Sequence, residues 1–207
     1  MSSITNSAKS SSSTAAEWLV NGLDARGLIT LLAAWAGMAM VVLVSLPLAL
    51  FLNVWLDESF TIHTTGSGPL YAYLQSVNFE IQPPLYFVLE SIWRLLNESS
   101  IFYARLPSII FAALAVGVIV VTASKLAPRI HPIVVAAVTA LNPIVIWAAV
   151  EMRVYALVFL VGSVLMWTFF EGFCNKEATA KQLRSARIMY AVFALIGLYT
   201  QYYVGFV

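Results

Sequence analysis

Five apolar runs, Leu28–Leu52, Leu106–Leu126, Ile133–Val150, Tyr155–Phe170 and Ile188–Val207, leave this chain little choice of fold. A helix rises 1.5 Å per residue, so roughly 20 apolar residues cross the ~30 Å hydrocarbon layer of a bilayer. Each run is close to that length. With 61% hydrophobic and 10% charged residues and a mean hydropathy of +0.87, the chain carries more apolar surface than one soluble core can hide. It reads as an all-α polytopic membrane protein. The net charge of +1 gives no basic excess of the kind that phosphate backbones demand, which argues against a nucleic-acid partner. The single cysteine, Cys174, cannot form an internal disulfide.

Met1 to Glu17 is rich in Ser and Thr without apolar periodicity, so residues 1–26 are expected to be a disordered cytoplasmic tail, followed by one membrane module over 27–207. The first run exceeds the roughly 7–15 residues of a signal-peptide core and should stay as an anchor.

A sixth candidate, Pro84–Leu96, decides the sidedness. As a helix it would reach only about 20 Å, and it contains Glu90 and Arg94. If it does not cross, the first helix runs outward, and Lys125, Arg129, Lys176, Lys181, Arg184 and Arg187 all fall inside, as the positive-inside rule requires. If it crosses, all six move outside. Five transmembrane helices are therefore expected, with Pro84–Leu96 a juxtamembrane helix in the first external loop. Glu90, Arg94 and Glu98 at i, i+4 spacing mark one face of that helix, leaving Leu85, Val88, Leu89, Ile92 and Leu95 for lipid or protein. Gln82, just before the Pro83–Pro84 diproline, should sit at a fixed kink.

This topology gathers charge at one face. Asp57 and Glu58 open the first external loop in WLDESF, and Glu151 and Arg153 sit between two spans with almost no polar loop around them. Charges at membrane depth cost about 2.5–3.5 kcal/mol on insertion scales, so they face the bundle interior or water. The plainer reading is that Glu151 and Arg153 close a tight turn and snorkel to the headgroups. Arg105 and Arg153 are both basic and both external, against the bias that governs most of the other Lys and Arg, and guanidinium geometry suits an anionic phosphate.

The order WLDESFT, QPPLYFVLESIW, ARLPSIIFAAL, a basic turn, NPIVIWAAVEMRVYAL and LYTQYYVG resembles the amino-terminal half of a GT-C glycosyltransferase. It is similar, more narrowly, to the bacterial protein mannosyltransferase and aminoarabinose transferase branch. The resemblance implies a partial GT-C module, expected to continue beyond Val207, in a bacterial inner membrane with its active site on the external side. The implied donor is a polyprenyl-phosphate-linked sugar and the acceptor a lipid, glycan or protein. By position, Asp57 matches the catalytic acid, with Glu58 beside it, and Glu151, Arg153 and Tyr155 match an E-x-R-x-Y element. Gln82 and Gln201 stand where many relatives carry histidine, and His63 is the candidate substitute. Asp57, Glu58 and Glu151 are thus the candidate catalytic residues, and Arg105, Arg153, Gln82 and Tyr155 the candidate substrate-binding ones. The oxygen ligands Asp57 and Glu151 would suit Mg2+ or Mn2+.

A transporter or a noncatalytic membrane scaffold are the alternatives. A transporter would place ionisable or helix-breaking positions near mid-span, whereas the acids here cluster at one end, and Pro47 and Pro143 are expected near the outer ends of their helices. No Gly-rich phosphate loop, Cys/His cluster or G-x-S-x-G signature is present. The aromatics Tyr71, Tyr73, Tyr86 and Trp93 are expected at the membrane interface rather than stacked on a sugar.

Overall fold

The computed structural model describes residues 25–206, and among them all regular structure is helical. The expected tail lies outside the described residues up to Asp24; Ala25 and Arg26 already belong to α1, Ala25–Phe51. A compact loop region follows, comprising α2 (Leu56–Thr65), α3 (Pro69–Gln75, extended by a π-helical turn Ser76–Glu80) and α4 (Leu85–Arg94). The bundle resumes with α5 (Ile101–Leu126), α6 (Pro132–Ala140), α7 (Pro143–Val150), α8 (Tyr155–Phe169, extended by a π-helical turn to Cys174) and α9 (Ala180–Thr200). By length and composition, α1, α5 and extended α8 are able to cross a membrane, and α6 with α7 makes a fourth span if the bent pair is taken as one.

That bend corrects the expectation of a continuous Ile133–Val150 helix. The axes of α6 and α7 diverge by 55°. Asn142 caps α7 by accepting the Ile144 N–H at 2.9 Å, and Pro143 holds the first helical position, where its missing N–H costs nothing. Pro143 thus breaks the run near its middle rather than at its outer end. The last run is shifted too. Thr179 and Gln182 form a capping box that starts α9 eight residues before Ile188, and the helix ends at Thr200. Gln201 is extended, and Tyr202–Phe206 forms a short 3-10 turn.

The bundle is held by close approach of small residues. A Cβ added at Gly37 of α1 would lie 3.0 Å from Val116 and 3.2 Å from Ala136, and one added at Gly117 of α5 would lie 2.8 Å from the Met38 sulfur. Ala33, Ala34, Val41, Ala112, Ala113, Val116, Ala136 and Ala149 fill the space between α1, α5, α6 and α7. Where no hydrophobic drive operates between helices in lipid, such van der Waals packing carries the association. Trp35, Leu43, Ile110 and Leu114 point outward, exposed.

Helix α4 is amphipathic as expected, but it turns its charged stripe inward. Glu90 and Arg94 are 2% and 5% exposed, while Leu89, Ile92 and Leu95 are exposed. Arg94 donates to the Ile62 carbonyl, the Thr65 hydroxyl and the Glu98 carbonyl, knitting α4 to α2. Tyr86, expected at an interface, is buried with Phe87 against Val154, Leu157 and Val161 of the α7–α8 turn and α8.

Candidate functional site

Every charged group singled out for the external face lies at one end of the bundle, where α1 ends, α5 begins and α7 turns into α8. The adjacent acids of α2 meet different fates there. Successive helix positions diverge by about 100°, so Asp57 points outward with its side chain 62% exposed, and Glu58 points inward at 1%.

Glu58 pairs with Arg105, whose five N–H donors are all engaged within the protein. Nε donates to Glu58 Oε1 at 2.9 Å and Nη2 to Oε2 at 2.6 Å. Nη1 reaches the Ala49 and Leu52 carbonyls at 2.8 and 2.9 Å, and Nη2 the Asn53 carbonyl at 3.1 Å. These are carbonyls that the end of α1 leaves without helical partners, so the guanidinium terminates α1 electrostatically and by hydrogen bonding. Glu58 also accepts the Met152 N–H at 2.9 Å and the Trp55 N–H at 3.3 Å. Burial pushes the Glu58 carboxyl up, but Arg105 and the two backbone donors outweigh it and hold it below the ordinary carboxylate value. The pair therefore ties α1, α2, α5 and the 151–154 turn together, and in this arrangement Arg105 has no N–H left for a phosphate.

The second pair is loose. Arg153 Nη2 stands 3.7 Å from Asp57 Oδ2, and its Nη1 makes only long contacts, 3.3 Å to the Asp57 carbonyl and 3.5 Å to the Thr61 hydroxyl. Its buried Nε has no partner. The Arg153 guanidinium carbon lies over the Tyr155 ring, 5.8 Å from its centroid, and that ring stacks on Trp147 at 5.1 Å, so the cation rests on an aromatic face. Leu48, Leu52, Trp55, Ile146, Trp147 and Val150 line a cavity of about 250 Å3 with Arg105 and Glu151 at its polar side; Asp57 and Arg153 are not part of its wall and adjoin it through Glu151 and Trp147. Glu151 is 7% exposed. Burial and then the Glu58 charge push its carboxyl above the ordinary carboxylate value, partly offset by Arg153 and Trp147.

Structure thus brings Asp57, Glu58, Arg105, Glu151, Arg153 and Tyr155 together. It does not join Gln82 or Gln201 to them by any hydrogen bond. The Gln82 backbone N–H donates to the Ser76 carbonyl at 3.0 Å, which closes a turn around Ile81, a β-branched residue in left-handed conformation (φ 52°, ψ 40°). His63 is exposed with its ring 6.2 Å from that of Tyr71. Among the described residues no group of three His, Cys, Asp or Glu side chains is placed to hold a metal ion. The Asp57 charge is the smallest influence on the Glu151 carboxyl, and with Glu58 engaged by Arg105 at most these two carboxylates are left to offer oxygen to an ion. That fits an ion arriving with a phosphate better than a resident one, because Mg2+ is held by one or two carboxylates, substrate oxygens and water.

Sequence reasoning missed the Tyr86–Glu90–Ser108 neighbourhood behind Arg153, where all three side chains are buried. A signal existed: Tyr86 and Glu90 stand one turn apart on the same face as Arg94. In comparisons with known protein families, with curated proteins and with solved structures, nothing matches this chain.

Proposed function

We propose that the chain is part of a membrane glycosyltransferase that moves a sugar from a polyprenyl-phosphate donor to an acceptor on the non-cytoplasmic face. The observation that carries this reading is the loose Asp57–Arg153 pair beside an apolar-walled cavity, at the end of the bundle opposite Lys125, Arg129 and Lys176. A cation with unsatisfied donors, an exposed carboxylate and an apolar wall are what a lipid phosphate sugar and its acceptor require together.

The topology proposed with it has five crossings, α1, α5, the bent α6–α7, α8 and α9, with basic residues inside. Helix α4, ten residues long, lies at the outer interface. The exposed apolar residues Leu70, Leu74, Phe79 and Ile81 of the same loop region support its lying against lipid.

In the reaction, the acceptor O–H or N–H attacks the anomeric carbon. A new C–O or C–N bond forms, and the anomeric C–O bond to phosphate breaks with its electron pair leaving on the phosphate. Asp57 takes the acceptor proton, a role that typically contributes about 10²–10⁴ in rate. Arg153 receives the charge growing on the departing phosphate. Tyr155, stacked on Trp147, supports the guanidinium's face, and Glu58 with Arg105 fixes the frame. A Mg2+ or Mn2+ ion brought in with the donor would be held by Asp57 and Glu151 and would polarise the phosphoryl oxygens.

The test is transfer of labelled sugar from polyprenyl-phosphate donors in membranes containing the protein, with cysteine labelling at the exposed position 59, in a Cys174→Ser background, to report the side of α2. Transfer together with labelling from outside supports the reading; no transfer from any such donor, or labelling from the cytoplasm, contradicts it. Scaffold and transporter readings lose ground because the charged residues converge at one end instead of dispersing or lining mid-span.

A further inference from the structure

Behind Arg153 lies a set of buried polar atoms poorly satisfied by the protein around them. Both carboxyl oxygens of Glu90, the Tyr86 hydroxyl, the Ser108 hydroxyl and Arg153 Nε are buried without hydrogen-bond partners. The three whole side chains are nearly sealed, with Tyr86 at 1%, Glu90 at 2% and Ser108 at 0% exposure. They come from α4 and α5, with Arg153 on the turn before α8. Tyr86 stands between them: the Ser108 hydroxyl lies within reach of its phenol, the Glu90, Arg153 and Glu58 charges act on it from further off, and Val154, next to Arg153, belongs to the same buried cluster. Glu90 makes no hydrogen bond to its neighbour Arg94, whose guanidinium gives three N–H groups to Ile62, Thr65 and Glu98 instead.

Isolated orphans of this kind are rare in folded proteins, and several on adjoining residues mark a place for water, which needs two to four polar partners. An apolar ligand would leave the same atoms unsatisfied, and a bulky polar one would have to displace packed Tyr86 and Phe87 from the α8 core.

We infer that Tyr86, Glu90 and Ser108 form an internal water-binding site whose outer edge is Arg153 Nε, which makes Tyr86 a positioning residue for that guanidinium. Its consequence for phosphate rests on the glycosyl-transfer reading above. Arg153 is held on its Nη side only by long contacts, so a water bridge from Tyr86 to Nε fixes the rotation of the planar fork. Its outer N–H groups then face the departing phosphate. Glu90, kept as a neutral acid by burial, donates into the same water instead of attracting the arginine away.

The experiment measures binding of a soluble prenyl phosphate to the full chain in detergent, beside thermal unfolding, for the wild type, Tyr86→Phe, Ser108→Ala, their double variant and Arg153→Gln. Tyr86→Phe deletes one oxygen and keeps the ring in place. It is expected to weaken affinity about three- to tenfold at unchanged melting temperature. Ser108→Ala acts through the same water, so the double variant should lose little more than either single one. Wild-type affinity in both single variants, with weak binding in Arg153→Gln, overturns the inference and leaves the functional reading standing. If the wild type binds no prenyl phosphate, the functional reading fails, and infrared spectroscopy judges the water site. A protonated-carboxyl band that disappears in Glu90→Gln and shifts in Tyr86→Phe supports it, and an unshifted or absent band overturns it.

Discussion

Asp57 and Glu58 are neighbours in sequence with the same functional group, and each faces an arginine, yet the two pairs are built for different work. Glu58–Arg105 is sealed: every guanidinium donor has an acceptor, and the carboxylate collects two backbone N–H groups besides. Asp57–Arg153 is open, with 3.7 Å between charges and one carboxylate mostly in solvent. Complete satisfaction makes the first pair a clasp between elements, because any group that left it would strand a buried charge. Incomplete satisfaction makes the second pair available to a ligand. A charged pair at a candidate site is thus informative by what it lacks.

The largest effect that tests this contrast comes from the clasp. Arg105→Met leaves Glu58 buried and unpaired and should cost about 3–5 kcal/mol, read as a fall in melting temperature of the detergent-solubilised protein. Arg153→Gln should cost clearly less stability than the clasp, because its contacts are long and its partner Asp57 lies mostly in solvent, while weakening prenyl-phosphate binding about tenfold or more. A large stability loss in Arg153→Gln would erase the distinction.

Acid and alkali sharpen it further. The Glu58 carboxyl is held below its ordinary value of 4.5, so its stabilisation is present above that pH and is lost as pH falls through the folded value. Glu90 is pushed from 4.5 up to about 8 by burial, against the pull of Arg94. Between those values the folded state keeps a proton that the unfolded state releases, so stability falls as pH climbs from about 4.5 to about 8. Glu90→Gln should flatten only the alkaline limb of a melting-temperature profile, and Glu58→Gln only the acid one.

The smallest expected effect lies in the loop that frames the open pair. Left-handed backbone costs a β-branched residue roughly 1–2 kcal/mol, so Ile81→Gly should leave thermal stability unchanged or raise it by up to about 1 kcal/mol once glycine's entropy is counted. A clear loss would show that the exposed Ile81 side chain anchors the loop.

The helical class, α1, α5 and α8 were readable because a bilayer imposes length and apolarity directly on sequence. The gathering of Asp57, Glu151 and Arg153 at one end followed from counting charges between runs. What stayed hidden depended on direction and on pairing across the chain. Asn142–Pro143 reads as a kink signal, but nothing local tells that α6 and α7 diverge by 55°. The i, i+4 stripe of Glu90 and Arg94 identifies a face without saying that it points inward. Likewise the roles of Asp57 and Glu58 are indistinguishable until Arg105, 47 residues on, is seen to claim one of them.

The division of labour between those two acids is tested most directly by Asp57→Asn and Glu58→Gln, assayed side by side for sugar transfer from a polyprenyl-phosphate donor and for thermal unfolding. Asp57→Asn should lose about 10²–10⁴ in turnover at an unchanged melting temperature, whereas Glu58→Gln should lose stability first and activity only with it. Full turnover in Asp57→Asn, or a stable Glu58→Gln protein that has lost turnover, would contradict the account.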